Sequence, residues 1–231
     1  GYTITEMEAG AITAAQLKAE GKTASELLGV YSVAQLLVAL FTITELDEAG
    51  VSAEQMKTEG FDVGDLISDY TIEELLAQFT IAQMKEGNVT AAELKSEGKI
   101  VADLKADYTI AELKVAYEID ELLVDFTFAQ LRTGGVTATE MKAAGKLASE
   151  LVGIYTETEL LNADYTFSEL KDSGVTVEQL KNNAGKTASE LKDDFSLEEL
   201  VIGGFEATEL KLADYSATQL KEENFSASQL R

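Results

Sequence analysis

A Leu or Met recurs along the whole chain at spacings of nine to eleven residues, from Met7, Leu17, Leu27 and Leu36 through to Leu210, Leu220 and Leu230. The pattern makes 24 units and leaves no segment of the 231 residues outside it. This repeat constrains the fold more than any other feature. A unit of ten residues is too small to own a core, so it must stack on its neighbours. The chain therefore reads as one continuous tandem-repeat domain over residues 1–231.

The units share one grammar, counted back from the Leu. Five residues earlier stands an aromatic in fifteen units, as in Phe41, Phe61, Tyr108, Phe126 and Tyr165. Four residues earlier is Thr, Ser or Asp in twenty; Ile100, Glu118, Leu147 and Glu206 are the exceptions. Three residues earlier the side chain is apolar everywhere except Glu157, and Glu, Gln or Asp immediately precedes the Leu in all 24. This is a capping box repeated: a hydroxyl that accepts from the backbone N–H three residues on, and a Glu or Gln that reaches back to the cap N–H. The aromatic before the cap packs on the Leu as a hydrophobic staple. Gly50, Gly60, Gly98, Gly145 and Gly174 stand where a left-handed residue closes a helix.

Each unit is thus expected to be one helix of about two turns, followed by a tight bend. Such a helix is unstable alone, because nucleation costs more than so few hydrogen bonds return. Thr, Ile, Val and aromatics also suit a β-solenoid. The apolar positions, however, fall at i, i+3 and often i+4, and Glu-Leu-Lys is helix-forming. The expected class is all-α, a solenoid of about 24 very short capped helices.

A longer period is superimposed. The staple runs Phe41, Val51, Phe61, Tyr70, then Phe79, Val89, Lys99, Tyr108; after an extra unit at Tyr117 it resumes with Phe126, Val136, Lys146, Tyr155. The residue after the Leu is usually Lys but turns apolar with the same period, at Leu28 and Leu37, Ile67 and Leu76, Val152 and Leu161. The simplest cause is a superhelix with about four units per turn.

Composition then removes classes of chemistry. There is no Cys or His, so disulfides, thiol nucleophiles, Cys- or His-type zinc sites and histidine acid–base catalysis are excluded. Forty-two acidic against eighteen basic residues leave a net charge of −24, which repels nucleic acid and anionic membranes. The longest apolar stretch, Val30 to Phe41, is interrupted by Ser32 and Gln35 and falls short of the roughly 20 residues of a membrane helix, so no membrane insertion is expected.

The remaining motifs have plain explanations. Gly21-Lys22-Thr23 and Gly185-Lys186-Thr187 match the end of a phosphate-binding loop, but Gln16 and Leu180 stand where its first Gly belongs. Paired carboxylates are explained by capping in every unit, so no catalytic residue and no cofactor is assigned. Asp69, Asp107, Asp125, Asp164, Asp193, Asp194 and Asp214 read as turn residues substituting for Gly rather than calcium ligands. Asn88-Val89-Thr90 and Asn224-Phe225-Ser226 fit an N-glycosylation acceptor only because Thr or Ser follows any Asn that closes a unit. Lys22, Lys99, Lys146 and Lys186 replace the staple in one column, either laying a stem over a neighbour with the amine in water or meeting acidic groups of a partner.

Thr42 to Gly50 and Ser52 to Gly60 carry the unit well. It resembles the Glu-Leu-Lys-x-x-Gly-[Phe/Tyr]-[Ser/Thr]-Ala decapeptide repeats of large microbial and protist proteins. That resemblance implies a repetitive structural or surface protein and transfers no functional residues. The expected function is structural or scaffolding, as a segment or subunit of a filament or extended surface assembly, and not enzymatic. The alternative is an adhesin or partner-binding module using the acidic surface. Neither end departs from the interior grammar, so head-to-tail self-association is the expected partnership. The compartment stays open, with an extracellular or cell-surface setting favoured over the cytoplasm.

Overall fold

A computed structural model describes residues 1–230. It has twenty-three short helices and no β-strand among the described residues. The chain divides into two units, Gly1–Ala116 and Tyr117–Arg231, and the division falls at the extra repeat beginning with Tyr117.

The first unit holds α1 (Ile4–Ala9), α2 (Ala14–Ala19), α3 (Ala24–Leu27), α4 (Val33–Val38), α5 (Ile43–Glu48), α6 (Ala53–Thr58), α7 (Val63–Leu66), α8 (Ile72–Leu76), α9 (Ile81–Glu86), α10 (Ala91–Ser96), α11 (Val101–Leu104) and α12 (Ile110–Leu113). The second holds α13 (Ile119–Leu122), α14 (Phe128–Thr133), α15 (Ala138–Ala143), α16 (Ala148–Leu151), α17 (Glu157–Asn162), α18 (Phe167–Asp172), α19 (Val177–Ala184), α20 (Ala188–Leu191), α21 (Leu197–Ile202), α22 (Ala207–Leu212) and α23 (Ala217–Glu222). The final repeat forms a turn over residues 227–230 in place of a twenty-fourth helix.

The capping grammar sets both ends of these helices. In α2 the Gln16 N–H donates to Thr13 Oγ1 at 3.3 Å while the Thr13 N–H donates to Gln16 Oε1 at 2.8 Å. The same reciprocal pair closes every helix but four. At Ile100, Glu118, Leu147 and Glu206 the cap side chain accepts nothing, and only the carboxylate three residues on still takes the cap N–H, at 2.7 to 3.0 Å. At the other end of α1, Ala11 is left-handed at φ 63, its N–H donates to the Glu8 carbonyl and the Ile12 N–H to the Met7 carbonyl. This is a Schellman motif. A six-residue helix makes its fourth residue from the start the third from the end, so one Leu or Met serves both the staple and the Schellman contact.

Four-residue helices leave differently. After α7, Asp69 and Tyr70 both donate to the Leu66 carbonyl, and no left-handed residue is needed. After α3 and α16 the chain turns through Leu28 (φ −59, ψ 135) with Gly29 at φ 92, and through Val152 (φ −57, ψ 132) with Gly153 at φ 83, the pattern of a type II turn. The only sheet-like pairs among the described residues are the isolated bridges across these turns, Leu28 with Tyr31 and Val152 with Tyr155.

Within each unit the helices stack as an α-solenoid with a repeat shorter than expected. Helices two positions apart are the packed neighbours: α2 with α4, α3 with α5 and α7 with α9 in the first unit, α15 with α17, α17 with α19 and α20 with α22 in the second. Tyr70 and Tyr155 donate from their hydroxyls to the Val51 and Val136 carbonyls, each 19 residues upstream, at 2.8 Å. A turn therefore closes after two to three units, and the four-unit block spans more than one turn. Each helix gives the centre a single Leu or Met, and so few helices already seal it: Leu46, Met56, Leu94, Leu131, Met141 and Leu200 are at 0% exposure. A wider ring of four would leave those side chains short of contact. Among the described residues the core holds no polar or charged side chain.

Candidate functional site

The most elaborate chemistry in the molecule lies between successive turns, at the Lys or Arg that follows the Leu. Being one residue past the buried position, it leaves the core edge along the helix axis and crosses to the next turn. Lys18 of α2 donates to the Leu40 carbonyl at 2.7 Å and to the Glu45 carboxylate at 2.9 Å, with its ammonium 4.0 Å from the centre of the Phe41 ring. Lys85 meets the Asp107 carbonyl, Glu112 and Tyr108 in the same way. In the second unit Lys171 meets the Asp194 carbonyl, Glu199 and Phe195, and Lys181 the Gly204 carbonyl, Glu209 and Phe205. Arg132 does so through its guanidinium with Ile154, Glu159 and Tyr155.

Each seat thus has three parts: the carbonyl before a staple, the staple's ring face, and the capping-box carboxylate of that same helix. The Glu already accepts from the cap N–H, so the lysine binds a carboxylate whose position is set in advance. Hydrogen bonds and the ammonium hold these carboxyls below the usual range, with Glu112 brought to about 2, first by Lys85 and then by Thr109. Glu45 and Glu199 are lowered too, Glu45 chiefly by the Thr42 N–H and Glu199 chiefly by Lys171. The ring side is apolar, and burial raises the Tyr70, Tyr108 and Tyr155 hydroxyls to about 12, so they remain donors. A half-exposed ion pair contributes up to about 1 kcal/mol and the cation–ring contact about 0.5–1 kcal/mol. The seats are clamps between turns.

Besides the apolar arms such as Leu28 and Ile67, two places carry an acidic residue. At the position of the lysine, α1 carries Glu8 facing Tyr31, and α5 carries Asp47 facing Tyr70, Glu74 and Asp69. Burial raises the Asp47 carboxyl, and Glu74, Asp69 and Glu48 add to it. Around Tyr31 the surface forms a groove of about 380 Å³ lined by Glu8, Ile12, Ala34, Val38 and Ala39.

The residues singled out by sequence fall as follows. Gly21 and Gly185 are left-handed helix ends (φ 85 and 63), and Thr23 and Thr187 cap α3 and α20. Asn88, Asp164 and Asp214 take left-handed turns at φ 66 to 70, whereas Asp69, Asp107, Asp125 and Asp194 do not and lie in the turns that follow four-residue helices. Lys22 and Lys186 pair with Glu26 and Glu190 on their own helices at 2.6 and 3.1 Å, and Lys146 pairs with Asp120. In these three the amine is held by the chain's own carboxylates. Among the described residues no group of three or more acidic, His or Cys side chains is placed to hold a metal ion, and no helix is long and apolar enough to cross a membrane.

The four-unit period alone does not reveal the clamp, although a signal for it exists in the sequence. The residue after the Leu in one unit matches the staple three units on: Lys18 with Phe41, Lys85 with Tyr108, Lys171 with Phe195, but Leu28 with Val51, Ile67 with Val89, Val152 with Val175.

These features define a class, the tandem-repeat α-solenoid with capped one- to two-turn helices. Comparison with protein-family models, curated proteins and solved structures finds no match for the chain.

Proposed function

We propose that this chain is a non-enzymatic structural or scaffolding element, a segment or subunit of a filament or extended surface assembly. The observation that carries the reading is the uniformity of the joints. The same carbonyl, ring and carboxylate recur around a cation in both units, at Lys18, Lys85, Arg132, Lys171 and Lys181. Repetition of one neighbour contact is how a chain sets length and stiffness, since stability becomes a sum over equivalent interfaces. A partner-binding module is the second reading, and it rests on Val38 and Leu40, aliphatic side chains at 81% and 80% exposure close to the Tyr31 groove. Negative-stain electron microscopy of the natural material tests the proposal. Extended, regularly repeating particles are expected, and discrete globular particles would overturn it.

A further inference from the structure

One groove recurs in both units at the same place in the repeat. In the second unit it runs between the start of α19 and the end of α21 and encloses about 380 Å³, with the buried Val175, Val177 and Phe195 as its floor and Ile202 as a wall. In the first unit the groove around Tyr31 has the same build, with Ile12 in place of Val175, Ala14 of Val177, Val38 of Ile202 and Ala39 of Gly203. Different side chains thus keep one volume. Val177 fills more space than Ala14, and Gly203 compensates: at an ordinary φ of −71, a Cβ there would lie 2.3 Å from Val177. The second groove lies inside the repeat series, with α17 packed on α19 and with α22 and α23 following α21. Ile202 is nevertheless 76% exposed, at a position that other units fill with Thr58, Ser96, Thr133 or Asn162.

We infer that the second groove seats a segment of a protein partner in which an aliphatic side chain stands next to a lysine or arginine. Covering Ile202 and the apolar floor supplies the attraction, and charge selects the segment. Of the charged residues in the lining, Lys171 is held by the Asp194 carbonyl at 2.9 Å and by Glu199 at 2.8 Å. That leaves Glu178, in the first turn of α19, with no hydrogen bond or ion pair among the described residues. The groove therefore offers apolar surface beside one uncompensated carboxylate, on a chain with a net charge of −24. A cationic segment is drawn to it and an acidic one repelled. A second copy of this chain brings the same negative charge and is the poorer match. The chain already uses this chemistry within itself, where the Lys181 stem crosses the Phe205 ring to reach Glu209. The inference rests on the partner-binding reading and names the partner; a scaffold can carry such a site.

Peptide binding tests it. A short labelled peptide of alternating leucine and lysine is titrated with the 231-residue chain by fluorescence anisotropy, in about 150 mM NaCl to screen charges more than about 8 Å apart. A Val38→Ser background removes the wall of the first groove, so that the second is read alone. Binding is expected there, and Ile202→Ser should weaken it about tenfold, the worth of one buried aliphatic side chain. Glu178→Lys should weaken it about tenfold or more, because like charges then meet. Both positions are exposed, and circular dichroism checks that the variants fold. A peptide of alternating serine and lysine measures attraction by charge alone and should bind about tenfold more weakly. Absence of binding overturns the inference, as do variants that bind like the parent or a serine–lysine peptide that binds as tightly. Self-association of the chain that Ile202→Ser abolishes would assign the groove to a second copy and also overturn it. A peptide of alternating leucine and glutamate that binds in place of the lysine one would overturn the inference while leaving the partner-binding reading intact. The electron-microscopy test of the scaffolding reading is independent of all these results.

Discussion

A cap hydroxyl is the smallest unit of order in this protein, and its contribution can be isolated. Thr137 accepts from the Glu140 N–H at 3.2 Å, and its own N–H donates to the Glu140 carboxylate at 2.7 Å. Thr137→Ala removes the first bond, together with the 3.0 Å bond from the Thr137 hydroxyl to the same carboxylate, and keeps the second, so a loss of about 1 kcal/mol is expected, read as a lower melting temperature. The reverse change is available at Leu147, which caps α16 with no side-chain acceptor and is 64% exposed. Leu147→Thr should raise the melting temperature by a comparable amount. Two unchanged melts would mean that the boxes follow from packing and contribute nothing of their own.

The joint between turns belongs to the scale of the element. At α5 the arm is Asp47, set among Asp69, Glu74 and the Tyr70 ring, where other joints place an ammonium. Asp47→Lys should build the missing clamp and stabilise the chain by about 1 kcal/mol in urea unfolding; a destabilised variant would contradict the seat description. Glu112 supplies the pH dependence. Its folded pKa of about 2 lies below the usual carboxylate value of roughly 4.3, so its contribution is complete above that value. It disappears as pH falls through the interval towards 2. The stability difference between wild type and Glu112→Gln should therefore be largest near neutrality and shrink between about pH 4.5 and pH 2. A difference constant with pH would show that the charge is irrelevant there.

For the whole molecule, two electrostatic effects oppose each other. Clamps gain from opposite charges at about 3 Å, as at Lys18–Glu45 (2.9 Å) and Lys181–Glu209 (2.8 Å). The net charge of −24 works against compaction. The ion pair of each clamp is partly open to solvent and worth at most about 1 kcal/mol, while the repulsion acts among all forty-two carboxylates. Raising NaCl from about 20 mM to about 300 mM screens both, and the melting temperature is expected to rise. A fall would show that the clamps outweigh the repulsion.

Local chemistry and long-range geometry divide cleanly here. The Thr13–Gln16 pair and the left-handed Gly50 and Gly60 depend on contacts within about five residues, and Leu46 and Met56 recur at one fixed place in the unit, which is why the helices, their caps and their core positions were legible in the sequence. The number of units per turn was not. It depends on how each exit bend aims the next helix and on pairs such as Tyr70 with Val51, 19 residues away, and Lys18 with Glu45, 27 away. Gly87 makes the same point: its φ of −76 is ordinary, yet a Cβ there would lie 2.5 Å from Val63 of α7. Only the stacked structure gives that glycine a reason. A sequence pattern records that a period exists, but a period of four units is compatible with one wide turn or with more than one narrower turn. Packing around a single Leu per helix decides between them.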